Sequence, residues 1–283
     1  MSNTSYLSVY AKSFSWAGYF LPKEKLKECS ALYDFCRVAD NIADDGERIE
    51  NKLKKFTQFE NEFNQKNLDN SVIKNMWDLI EEFDISLKIV QDLLIGIKSD
   101  IKKEVKLNSK KDLLIYSYQV AGTVGLMMAK ILKVNNKNSL KSAIDLGIAM
   151  QLTNISRDVI EDSKNNRFYI DENFEKISST IKLADAFYDN SFYSIKDIPI
   201  GFRFSILVAR RIYRKIGYKI LNTKNLENYR NSGKIYVSNL EKLFETFFSI
   251  FDLIKLSLKN EKYDQTQNYH NLINEEINLD ERI

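Results

Sequence analysis

The stretch Ala149-Met150-Gln151-Leu152-Thr153-Asn154-Ile155-Ser156-Arg157-Asp158-Val159-Ile160-Glu161-Asp162 decides how this chain folds. On a helix of 3.6 residues per turn, Gln151, Asn154, Asp158 and Asp162 follow at steps of three, four and four, so they share one polar stripe. Ile148, Leu152, Ile155 and Val159 fill a neighbouring apolar face. A solvent face is the ordinary reading of a polar stripe, but this segment is short of lysine. An amide-and-carboxylate stripe beside an apolar one describes a helix that faces a cavity.

The same acidic spacing occurs at Asp40 and Asp44, inside a helical pattern that starts after Pro22 and ends at Asp45-Gly46. Two carboxylates at i and i+4 lie about 6 Å apart on one helix face and repel each other. They are tolerated when solvated or when a cation sits between them. Mg²⁺ suits such a pair, because it takes a few carboxylates, keeps several waters and binds substrate phosphate oxygens. Spacing alone does not establish this, since twenty aspartates in this chain give about 1.4 such pairs by chance. A third pair, Asp185 and Asp189, is read as chance on a solvated face.

Around these stretches the chain reads as helix throughout. Only two prolines and nine glycines interrupt 283 residues, and no strand alternation or short repeat occurs. Helical patterns are expected at about 50–63, 71–83, 86–103, 113–132, 140–162, 171–187, 199–221 and 234–258. The centre of the fourth, Tyr116-Ser-Tyr-Gln-Val120-Ala-Gly-Thr-Val-Gly125, carries two glycines, each costing about 1 kcal/mol relative to alanine. Either close helix packing or backbone lying against a ligand would explain them. The 32 Phe and Tyr side chains suffice for a core and an apolar cavity lining. The expected architecture is all-α, a single helical bundle around a central apolar cavity, spanning 1–258. A polar tail, 259–283, is expected to fray.

Composition excludes several functions. A net charge of +3 gives no support for nucleic-acid binding. Cys29 and Cys36, two helical turns or about 10 Å apart, are too distant for a disulfide and read as buried thiols of a reducing compartment. With His270 as the single histidine, no His/Cys zinc site can be assembled. Residues 1–10 lack the apolar core of a signal peptide, and no apolar run is long enough to span a bilayer. The expected location is the cytoplasm, with room for peripheral contact at the inner membrane.

Four ordered blocks resemble the squalene/phytoene synthase family, closest to its bacterial phytoene synthase branch, between about Tyr10 and Leu243. They are Ser13-Phe14 with Leu21-Pro22 and Leu32-Tyr33-Asp-Phe-Cys-Arg37-Val-Ala-Asp40-Asn-Ile-Ala-Asp44-Asp45; Tyr116 to Gly125; Leu146 through Gln151, Asn154, Arg157, Asp158 and Asp162 to Arg167-Phe-Tyr169; and Ala209-Arg-Arg-Ile-Tyr213 with Lys234-Ile-Tyr-Val-Ser238. The resemblance implies the isoprenoid synthase fold and Mg²⁺-dependent, head-to-head coupling of two prenyl diphosphates. It implies Asp40, Asp44, Asp158 and Asp162 as ligands of Mg²⁺, with Mn²⁺ as the alternative metal, and no nicotinamide cofactor. Ser13, Arg37, Gln151, Asn154, Arg157, Arg167, Tyr213 and Lys234 would bind the diphosphates. Phe14, Tyr33, Val120 and Gly125 would also meet the substrate, and Tyr116 would stabilise the cation beside the reacting carbons.

The expected reaction joins two C20 geranylgeranyl diphosphates into phytoene through a cyclopropyl-carbinyl diphosphate. The alternative joins two C15 farnesyl diphosphates into presqualene diphosphate, dehydrosqualene or squalene. A non-catalytic relative would be expected to have lost aspartates, and all four are here. The chain departs from the family pattern at Asn41, Ala11, Lys234 and Ile170-Asp171, none of which removes a central aspartate.

Overall fold

The computed structural model describes residues 12–258 and 266–283. Ala11 and the start of the resemblance at Tyr10 lie outside the described residues. The helices are α1 (Lys12–Gly18), α2 (Lys23–Asp44), α3 (Ile49–Asn64), α4 (Ser71–Glu82), α5 (Leu87–Ser99), α6 (Lys110–Ser117), α7 (Thr123–Ile131) and α8 (Lys137–Lys164). After them come α9 (Phe174–Phe192), α10 (Ile200–Leu221), α11 (Leu226–Asn231), α12 (Asn239–Leu258) and α13 (Gln267–Asn274).

Local chemistry sets the boundaries. Asn70, Ser86, Asn136 and Asn173 each accept a hydrogen bond from the first turn of the helix they precede. Ser109 and Asp112 form a reciprocal capping box at the start of α6. Pro22 precedes α2, which ends at Asp44 as the Asp45-Gly46 break predicts.

The helix expected over 113–132 is three pieces. Between α6 and α7 the backbone widens into a π-helical turn, Tyr118–Gly122. Close backbone packing is the physical reason for Gly125 and for Gly147 opposite it. A Cβ on Gly125 would stand 2.2 Å from the Ala143 carbonyl oxygen of α8, and one on Gly147 2.2 Å from that of Ala121. The two backbones therefore meet where neither can carry a side chain. Gly125 thus has a packing role independent of any ligand.

Helix α8 is the axis of the molecule, touched by α7 and the π turn, α9 and α10. Helix α2 packs against α4, α5 and α7 through Cys29, Leu32, Phe35, Cys36, Ala39 and Ala43. Both cysteines are buried free thiols, as expected, and burial pushes Cys29 up to about 12. A two-residue parallel bridge, Val105–Lys106 with Arg167–Phe168, ties the end of the α5 region to the end of α8. No sequence alternation announced it, because a bridge of this length has no period.

Two expectations are corrected. The tail does not fray over 266–283. Helix α13 packs on α6 and buries His270 and Ile273, while Ile277 and Leu279 are buried after it. His270 Nε2 lies 2.6 Å from Oδ1 of the fully buried Asp145, whose other oxygen accepts from Asn190 and Thr266. A polar composition hid this anchor because the tail contributes partners to a buried acid. Asp189 is exposed, as a solvated face requires, but Asp185 is half-buried, and Arg214 of α10 donates to both, at 2.8 and 2.6 Å.

Candidate active site

The two acidic pairs come from different helices and meet at one end of the bundle. Burial pushes Asp40 up to about 7, reinforced by Asp44 and, more weakly, by Asp100. Burial likewise pushes Asp162 up to about 7, reinforced by Asp158 and Asp100. Carboxylates raise one another only when their fields overlap at short range. Asp100, at the end of α5, acts on both Asp40 and Asp162, and so does Arg167, which is paired with Asp44, so the pair on α2 and the pair on α8 lie near one another.

Cations are interleaved with these acids. Arg167, just after α8, places Nη2 2.8 Å from Asp44 Oδ1. Arg157 grips its neighbour Asp158 with two donors, the Nε bond being 2.8 Å. Lys234 lies 3.4 Å from Asp158 Oδ1 and donates to Glu161 at 2.6 Å. Arg37 lowers the pKa of Asp40 from the preceding turn of α2. Arg157 is also the charge that opposes the upward push of burial on Tyr213, held at about 12 with Tyr33 nearby. The Phe14 ring from α1 lies 5.0 Å from that of Tyr213.

Tyr116 sits in a triangle. Its hydroxyl donates to Asp100 Oδ2 at 2.8 Å and lies 2.9 Å from the Tyr169 hydroxyl, which donates to Asp100 Oδ1 at 2.8 Å. The two rings stack with centroids 4.7 Å apart. Burial, and then the Asp100 charge, hold the Tyr116 hydroxyl well above its ordinary pKa. It is a neutral phenol at physiological pH.

Val120, Gly125, Gln151 and Asn154 are half-buried, as is Ser13 on α1. The space bounded by Ile155, Val159, Asp162, Arg167 and Tyr169 holds about 10 Å³, room for about one water.

The donor set fits a hard divalent cation. All the candidate ligands are oxygens, and Asn154 Oδ1 is buried without a hydrogen-bond partner. Among the described residues, however, no three His, Cys, Asp or Glu side chains are gathered tightly enough to hold a metal as they stand. Asp158 and Asp44 are instead engaged by arginines.

Sequence reasoning missed Asp100, Tyr169 as a partner of Tyr116, and Tyr229. The Tyr229 hydroxyl donates to the carbonyls of Ser156 and Arg157, at 2.9 and 2.7 Å, and braces the acidic turn of α8. Asp100 has no aspartate three or four residues away and follows the last residue of α5, so the aspartate spacing could not find it. Tyr169 stood within a recognised block and was the one available signal.

An all-α bundle that brings carboxylates and arginines of different helices together suits an enzyme that acts on diphosphates. The squalene/phytoene synthase model matches residues 7–174, and the chain belongs to that family of prenyltransferases. It is 27% identical over 247 residues to the 15-cis-phytoene synthase of Enterobacter agglomerans, covering 76% of this chain and 83% of that one. It is 30% identical over 241 residues to the phytoene synthase of Cereibacter sphaeroides, covering 74% and 68%. Among solved structures, a ligand-bound dehydrosqualene synthase superposes with a TM-score of 0.74 at 27% identity, covering 89% of this chain and 95% of that one. The squalene synthase HpnC of Alicyclobacillus acidocaldarius, at 17% identity and a TM-score of 0.66 over 79% and 91%, shares the fold. The fold is the isoprenoid synthase fold.

Proposed function

We propose that this chain joins two C20 prenyl diphosphates head to head into phytoene, with Mg²⁺ held by Asp40, Asp44, Asp158 and Asp162. The observation that carries the reading is the proximity of both acidic pairs to Arg37, Arg157 and Arg167. Phytoene synthases among the relatives support the C20 substrate. The dehydrosqualene synthase superposition supports a second reading, two C15 diphosphates giving a C30 product.

Diphosphate leaves only when its developing charge is neutralised. Bound Mg²⁺ supplies part of that neutralisation as a Lewis acid. The arginines supply the rest. Arg157 and Arg167 are already poised on Asp158 and Asp44, and exchanging those carboxylates for phosphate oxygens keeps each guanidinium paired. Tyr33, Tyr213 and Asn154 add neutral donors around the same anion.

Ionisation leaves an allylic cation, which the second prenyl double bond attacks; loss of a proton from the attacked C1 to the released diphosphate then closes the ring of a cyclopropyl-carbinyl diphosphate. A second ionisation and rearrangement link the two C1 carbons. The Val120 and Ala121 side of the π turn, with Tyr116, excludes water from these cations. The Tyr116 phenol keeps its proton, so it stabilises positive charge through its ring and dipole. The departing diphosphate takes the final proton. No nicotinamide is used. Contact with a bilayer surface would deliver the substrates.

The test offers purified protein C15 and C20 diphosphates with Mg²⁺, with and without NADPH, and identifies the hydrocarbon. A C40 product without NADPH is expected. A C30 product would replace the first reading by the second, and no coupling with either substrate would remove both.

A further inference from the structure

Helix α12 is inside out. Its buried residues are Lys242, Glu245, Ser249 and Leu256, three of them polar. They turn toward α10, where Arg211 donates to Glu245 and Asp252, at 2.8 and 2.9 Å. The apolar residues point the other way. Leu240, Leu243, Phe244, Phe247, Phe248, Ile250, Phe251, Ile254 and Leu258 are all between 44% and 79% exposed. That strip is on the order of 800 Å², beyond the ~300–600 Å² that soluble monomers carry.

A cationic cleft adjoins the strip. A cavity of about 640 Å³ opens between α9, α10 and α12. Arg210, Arg211, Arg214, Lys215 and Lys255 line it against three acids, Asp189, Glu245 and Asp252. Arg210 is 5% exposed, donates Nε and Nη2 to the Tyr188 carbonyl, and has its nearest carboxylate, Asp189, at 3.5 Å. Its charge is thus incompletely compensated. Cleft and strip share residues: Arg211 lies over the exposed Phe248 ring at 5.4 Å, and Lys255 of α12 over Phe192 at 5.1 Å. This site lies apart from the catalytic acids, with Tyr213 of the same helix facing them.

We propose that the α12 face docks on an anionic bilayer, its apolar strip entering the interface while the cleft beneath receives a lipid phosphate. The observation that selects lipid is the pairing of an unbroken Leu/Phe/Ile strip with an excess of cations at its edge. A second copy of the chain docked on this face would set one cation-rich edge against another, five cations to three acids on each side. This inference extends the bilayer contact proposed above, but its test requires no prenyl substrate.

Full-length protein is floated with vesicles of phosphatidylcholine alone or with phosphatidylglycerol. The wild type should float with the anionic vesicles. The Phe247→Ser/Phe251→Ser variant should lose binding at least tenfold. Lys215→Gln/Lys255→Gln should keep residual binding but lose the preference for phosphatidylglycerol. Circular dichroism checks that each variant is folded, and turnover of detergent-dispersed substrate should be unchanged. Wild type that stays soluble with anionic vesicles would overturn the proposal. So would unaltered binding by the phenylalanine variant, equal binding to both lipids, or a dimer that this variant dissociates while vesicle binding persists. A protein that floats but couples neither prenyl diphosphate would sink the catalytic reading and leave this one standing.

Discussion

Asp40→Asn should stabilise the metal-free protein at pH 8 while abolishing its activity. Burial and Asp44 raise the Asp40 carboxyl from 3.8 to about 7 in the folded protein. Between those values the folded state binds more protons than the unfolded state, so unfolding free energy falls as pH rises, and above about 7 the full penalty is present. The shift of about 3 units corresponds to a ceiling of about 4 kcal/mol. Asp40 is partly accessible and burial is only part of its shift, beside the Asp44 and Asp100 charges, so the effect is discounted to about 2 kcal/mol. For a chain of this length that is a rise in Tm of about 3–4 °C. The assay is thermal unfolding with EDTA at pH 8 and pH 5. At pH 5 the folded carboxyl is protonated but the unfolded one is still ionised, so the gain should be smaller than at pH 8 and should vanish only below about 3.8. An unchanged Tm at pH 8, or an equal rise at both pH values, would refute a buried acid held against its neighbours.

Asp158→Ala should reduce turnover by at least about 10³-fold, and EDTA should stop product formation until Mg²⁺ is restored; full activity of the variant in a coupled-product assay would contradict the assigned ligand role. Gly147→Ala places a methyl 2.2 Å from the Ala121 carbonyl oxygen and should cost about 2–3 kcal/mol in urea unfolding. His270→Ala strips a partner from the fully buried Asp145 and should cost about 3 kcal/mol or more. A free tail would make that variant indistinguishable from wild type.

The sequence by itself determined the helical class, the polar stripe on α8 and the two acidic pairs, because these follow from a 3.6-residue period that each helix carries alone. The blocks around Asp40 and Asp158 likewise carried the family. Tertiary structure decided what has no period. Asp100 joins the acids only because α5 ends beside α2 and α8. Gly125 and Gly147 proved to be a crossing of backbones because each needs the other helix. The polar tail proved to be an anchor because Asp145, far away in sequence, needs His270. The sequence marked α12 only as a helical pattern within 234–258, and such a pattern does not say which face turns inward. The arginines of α10 draw its acids inside and leave its phenylalanines out, because a buried guanidinium must be paired and an exposed apolar face need only find an apolar neighbour.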